Sequence, residues 1–190
     1  MSAKRNISNR HRPRGLDILH EDRDIFVVNK APGVLTTGTR RDEAFTAENV
    51  LNQYVHKGCA CSRKQVYLVH RLDRETSGVL LFAKTAEAQQ RLKDNWRANE
   101  KLYLALVRGH LSQRQGIFSS YLAENEDLYV FSANDPALGK FSQTEYAVIK
   151  ETPALSAVKI RLLTGRKNQI RVHFTEAGHP VVGDPKYGRD

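Results

Sequence analysis

YLVHRLDRETSGVLLFAKT, residues 67–85, sets two apolar runs on either side of a polar, charged loop. The run 66–69 and the run 79–83 are each too short for an ordinary helix and of the right length for buried strands. Between them, RLDRETSG places the carboxylate of Asp73 in a short loop with two arginines, Glu75, a hydroxyl pair and a glycine. A loop clamped between buried strands presents its side chains on a rigid support, which is how a scaffold holds a nucleophile or a base. An aspartate in a loop is also a common turn or cap residue, so spacing alone leaves Asp73 between those two roles.

Working outward, LDILHEDRDIFVVNK at 16–30 gives two short β-rich runs around the turn-prone EDRD, closed by Ala31-Pro32-Gly33. TAENVLNQYVHK at 46–57 places Val50, Leu51, Tyr54 and Val55 at helical spacing behind Thr46, and Gly58 stops the run. After the central stretch, residues 85–99 predict a helix with a Thr85 N-cap and with Leu92 and Trp96 on one face. Strand-like runs follow at 101–109, 117–122, 127–131, 142–150 and 155–163, and a last helix fits 167–177 before Gly178 and Pro180. This order predicts an α+β fold with a mixed, largely antiparallel sheet flanked by helices.

Length and charge narrow the possibilities further. A chain of 190 residues with 40% hydrophobic and 27% charged residues suits one soluble folded unit. Its longest aliphatic run, Val79–Ala83, is far short of the roughly 20 apolar residues of a bilayer span, and the charged start lacks a signal-peptide core. A cytoplasmic protein is therefore expected. The first 14 residues carry five Arg or Lys and read as a flexible basic arm, leaving 15–190 as the folded domain. A net charge of +9 favours a polyanionic partner, although charge alone does not name it. Cys59 and Cys61 stand one residue apart, a spacing that suits neither a zinc knuckle nor an unstrained disulfide, so they read as free thiols without an assigned role.

HRLDRETSGVLLFAK resembles the signature of the RluA-type pseudouridine synthases, enzymes that isomerise uridine to pseudouridine within RNA. DILHEDRDIFVVNKAPG at 17–33, KLYLALVRG at 101–109 and LLTGRKNQIRVHFTEAGHPVVGDPKYG at 162–188 are similar, in order, to the family's opening strand pair, its K-x-Y strand and its closing block. The resemblance implies the pseudouridine synthase catalytic-domain fold, a structured ribosomal or transfer RNA as substrate, and neither cofactor nor metal. It makes Asp73 the essential carboxylate, as nucleophile or base while the glycosidic bond breaks and the uracil turns. Arg171 matches the arginine that pairs with that aspartate, where a guanidinium favours the ionised carboxylate.

The same resemblance gives Tyr103 the role of stacking on the target base, although a tyrosine alternating with Leu102 and Leu104 is also an ordinary core or edge residue. Arg71 matches a position that can enter the RNA stack when the target nucleotide flips out. Ile170 matches the apolar neighbour of the uracil, and a helix-core role explains it equally well. His70, His173 and His179 lie inside family blocks and show no helical metal-pair spacing, so they read as structural. Two departures stand out. Asn168 occupies the place of a more usual histidine, and the chain ends at Asp190, where relatives commonly continue into another strand or two. An S4-like domain is not expected ahead of the catalytic domain, and a monomer is expected for a compact basic domain.

Overall fold

The computed structural model describes residues 13–38, 45–59 and 61–188. Most of the expected basic arm, residues 1–12, lies outside the described residues. The chain divides between Ala98 and Asn99 into two compact units, each with its own antiparallel sheet.

In the first unit, β1 (Leu16–Glu21) and β2 (Ile25–Lys30) form the expected hairpin. Its turn is set by Asp22, whose Oδ1 accepts the backbone N–H groups of Asp24 and Ile25 at 2.8 Å each, an Asx arrangement that bends the chain without glycine. Helix α1 (Ala47–His56) starts where Thr46 accepts the Asn49 N–H and ends at Lys57, which takes a left-handed φ of 50°. β3 is only Tyr67–Leu68, shorter than the predicted run, and β4 is Gly78–Ala83. The reason is local. The Val69 N–H still donates to the Leu81 carbonyl, but the Leu81 N–H then donates to the ring Nε2 of His70 at 3.2 Å, so a side chain takes the place of the next backbone acceptor. The sheet order is β1-β2-β4-β3, and Phe26, Val28, Leu80 and Phe82 are fully buried at its centre.

The helix predicted over 85–99 is shorter as well. α2 (Ala86–Asp94) is capped by Thr85, and a 3₁₀ turn at Trp96–Ala98 replaces its last turn. The Asn95 side chain donates back to the Arg91 carbonyl, and Trp96 stacks on His70 with ring centroids 4.4 Å apart. Leu92 and Trp96 nevertheless share a side, both packing on the cluster of Val69, Ala83 and Ala88.

The second unit holds β5 (Leu102–Arg108), β6 (Gln115–Glu124), β7 (Val130–Ala133), β8 (Lys140–Glu151), β9 (Leu155–Leu162) and α3 (Gln169–Glu176). Strand order is β5-β9-β8-β6-β7, every pairing antiparallel. β7 begins later than the run predicted at 127–131, because Asn125 folds residues 125–129 into a turn by accepting the Tyr129 N–H, with Leu128 at φ 59°. Alternation separates the two faces of this sheet. Val107, Val158 and Ile160 are fully buried on one side, with Phe118, Tyr146 and Phe174 in ring contact beside them. Burying each aliphatic side chain there contributes roughly 1.5–3 kcal/mol. The other side leaves Leu102, Leu104, Leu106, Ile117, Phe141 and Ile149 exposed. The observed class is the expected α+β, largely antiparallel with helices packed on the strands.

Candidate active site

The RLDRETSG loop leaves β3 and enters β4, and residues 30–36 hold its backbone. Alternation along β2 puts Phe26, Val28 and Lys30 on the buried face, and Lys30 is fully inaccessible. Its ammonium donates to the carbonyls of Ala31 (3.0 Å), Val34 (2.8 Å) and Arg74 (3.1 Å). Burial pushes the Lys30 ammonium below its usual range, and the carboxylates of Glu75 and Asp73 act against that shift. Gly33, at φ 83°, donates its N–H to the same Arg74 carbonyl at 2.8 Å. The Thr36 hydroxyl engages both ends of one residue, donating to the Leu72 carbonyl at 2.6 Å and accepting the Leu72 N–H at 3.1 Å. Asp73 thus lies between two residues whose peptides are fixed, and its own carbonyl accepts the Thr76 N–H.

Asp73 is partly buried and Arg71 exposed, both on this loop. Behind it, burial lowers the His70 pKa to about 4, against a smaller opposing effect from the Arg71 backbone. That agrees with a neutral ring accepting the Leu81 N–H through Nε2.

Tyr103, Ile170 and Arg171 belong to the second unit. Tyr103 on β5 and Ile170 on α3 are both partly buried and pack against the same core cluster around Ile160 and Phe174. Arg171 makes a two-point ion pair with Asp184, Nε to Oδ2 at 2.6 Å and Nη2 to Oδ1 at 2.7 Å. With side-chain exposures of 15% and 3%, this pair is largely withdrawn from water, and two parallel charge-assisted bonds fix the plane of the guanidinium. Asp184 also accepts the N–H groups of Lys186 and Tyr187. Burial alone would raise its pKa, but the Arg171 bonds and these two N–H groups outweigh that and hold it below the usual carboxylate range.

Asn168 completes the arrangement. It sits at φ 54°, a left-handed conformation that asparagine tolerates better than most residues. Its Oδ1 accepts from Arg171 Nη1 at 3.0 Å, and its Nδ2 donates to the Tyr187 hydroxyl at 3.1 Å. The departure at this position therefore keeps a hydrogen-bonding role without a charge. Gln169, next in the chain, uses its whole amide: Oε1 accepts from Thr164 and Arg166, and Nε2 donates to Gln143 and Thr144.

His173 bridges the hydroxyls of Thr144 and Ser120, and His179 bonds the Arg108 carbonyl through Nδ1. Among the described residues, no three His, Cys, Asp or Glu side chains cluster as metal ligands would. None of the helices described is long and apolar enough to cross a membrane.

Sequence reasoning missed Lys30, Thr36, Asp184 and Tyr187. For Lys30 a signal existed, since period-two alternation from Phe26 and Val28 places a lysine on the buried face. Asp184 and Tyr187 lie in the quoted GDPKYG segment, where nothing in residue type or spacing points to Arg171.

The sequence matches the family described as RNA pseudouridylate synthase over residues 24–176. It is 37% identical over 177 residues to an uncharacterized RNA pseudouridine synthase of Mycoplasma pneumoniae, an alignment covering 91% of this chain and 55% of the relative. It is 34% identical over 175 residues to ribosomal large subunit pseudouridine synthase D of Escherichia coli O157:H7, covering 91% and 52%. The chain spans about half the length of these curated relatives. Two human proteins, RNA pseudouridylate synthase domain containing 4 and domain containing 1, share its structure with TM-scores of 0.76 and 0.74. Their identities are 25% and 31%, over 90% and 92% of this chain and 68% and 70% of theirs.

Proposed function

Because the chain belongs to the RNA pseudouridylate synthase family, we propose that it isomerises uridine to pseudouridine within structured ribosomal or transfer RNA, with Asp73 as the essential carboxylate. The observation that supports this most is the mounting of Asp73: a carboxylate on a loop whose neighbouring peptides are held by Lys30, Gly33 and Thr36. Such fixing suits chemistry in which one group must stay placed while the substrate moves. The N1–C1′ bond breaks, the uracil turns, C5 bonds to C1′, and the hydrogen on C5 leaves as a proton. Asp73 acts in this sequence as nucleophile or base.

Arg71, exposed beside Asp73, is assigned to fill the stack that the target nucleotide vacates, which a planar guanidinium does well. In the second unit, Tyr103 is assigned to the base and Ile170 to the apolar edge of the uracil, while Arg171 takes the cationic role that the family resemblance gives it. The high net positive charge supports binding to the RNA backbone. The reading includes a monomer working in the cytoplasm without metal or cofactor, with residues 15–190 as the catalytic domain.

Release of tritium from RNA labelled at uridine C5 measures the reaction directly. Wild-type protein is expected to release it and Asp73→Asn to release none, with the far-UV spectrum and most RNA affinity unchanged. Tritium release by Asp73→Asn would remove the assigned role. RNA binding by the wild type with no release from any RNA would point instead to a non-catalytic binding module.

A further inference from the structure

We propose that Cys59 and Cys61 form a reversible dithiol–disulfide site that exchanges with anionic low-molecular-weight disulfides of the glutathione class. These are the only two cysteines of the chain. Both are exposed and unbridged, in the segment that follows α1, with their sulfur atoms 2.8 Å apart. Backbone bonds shape the segment around them: the Cys59 N–H donates to the His56 carbonyl, and the Ser62 N–H donates to the Cys59 carbonyl. The two thiols thus face each other before any oxidant arrives.

Reactivity follows from the same surroundings. A thiolate is the attacking species in exchange, and hydrogen bonds or nearby cations favour it. The Cys59 thiol is held below its usual range, first by its hydrogen bond with the Cys61 thiol and then by the backbone N–H groups of Cys61 and Ser62. Lys57, Arg63 and Lys64 flank the pair in sequence and draw in an anionic disulfide.

Spacing decides that the bond is reversible rather than structural. Unstrained bridges need a Cα separation and a sulfur dihedral that a single intervening residue satisfies poorly. A strained and exposed disulfide is more oxidising and more readily reopened than a buried structural one. In the first step the Cys59 thiolate attacks one sulfur of the small disulfide, forming a mixed disulfide and releasing one small thiolate. Cys61, giving up its proton, then attacks the Cys59 sulfur and expels the second small thiol. Two protein thiols are oxidised, and one small disulfide is reduced to two thiols.

Because the chain has no other cysteine, thiol counting and intact mass read this pair alone. After incubation of the folded full chain with oxidised glutathione, both alkylatable thiols should be lost, the mass should fall by two hydrogens, and no glutathione should be retained. Dithiothreitol should restore both thiols. Cys59→Ser and Cys61→Ser should each hold one glutathione as a stable mixed disulfide, and closure should run several times faster in the folded chain than in the urea-unfolded one. A wild-type protein that keeps a glutathione on each sulfur, links to a second copy, fails to react, or closes no faster when folded would overturn the proposal.

Discussion

Asn168 shows how much one residue carries at the head of α3. Its backbone adopts φ 54° while its amide joins Arg171 to the Tyr187 hydroxyl, so conformation and contact are separable by substitution. Asn168→Gly loses the amide but adopts the left-handed backbone freely, whereas Asn168→Ala loses the amide and keeps a Cβ that is strained in that conformation. Asn168→Ala should therefore be less stable than Asn168→Gly by about 1 kcal/mol, measured as the difference in urea unfolding free energy. Equal stabilities would mean that the left-handed geometry is not retained in solution. Sequence reading flagged this residue only as a departure from a pattern, since backbone conformation has no one-letter signature. Lys30 illustrates a different case: alternation from Phe26 and Val28 puts it on the buried face, a signal present in the sequence but not used, while its three carbonyl partners needed the structure.

The loop between β3 and β4 is the element on which the proposed chemistry depends, and its support comes from a segment more than thirty residues earlier. Thr36 bonds both polar groups of the buried Leu72 peptide. Thr36→Val keeps the shape and removes both bonds, leaving a buried donor and acceptor unpaired at a cost of roughly 2–4 kcal/mol. Looser placement of Asp73 should also slow turnover by roughly 10–100-fold while leaving RNA affinity near wild type, which tritium-release kinetics and filter binding can separate. Loss of RNA affinity with an unchanged turnover rate would show that Thr36 serves binding instead. The two strands and the polar loop were legible as hydrophobic runs with a break, because burial writes itself into composition. Thr36 was not, since its partner is a peptide group and peptide groups leave no trace in a sequence. The early end of α2 was hidden similarly: beside the local bond from Asn95 to the Arg91 carbonyl, it is accompanied by the stacking of Trp96 on His70, a contact between residues 26 positions apart.

For the molecule as a whole, imidazoles partly or wholly withdrawn from water link stability to acidity. His70 must stay neutral to accept the Leu81 N–H, and its pKa in the folded protein is about 4 against an ordinary 6.5. Between those values the unfolded chain binds a proton that the folded chain does not. The stability His70 contributes is therefore complete above pH 6.5 and is lost as pH falls through 4. His173, lowered by burial, works in the same direction, and Asp184 adds to it at lower pH. Glu48, raised by burial, opposes them. The fall in unfolding free energy from about pH 7.5 to about pH 5 should include roughly 2 kcal/mol from His70. His70→Gln offers the Leu81 N–H an acceptor that does not titrate, so its stability should decline less across that interval, whatever its stability at neutral pH. Urea unfolding of both proteins at the two pH values checks this, and parallel declines would show that His70 does not carry the acid sensitivity.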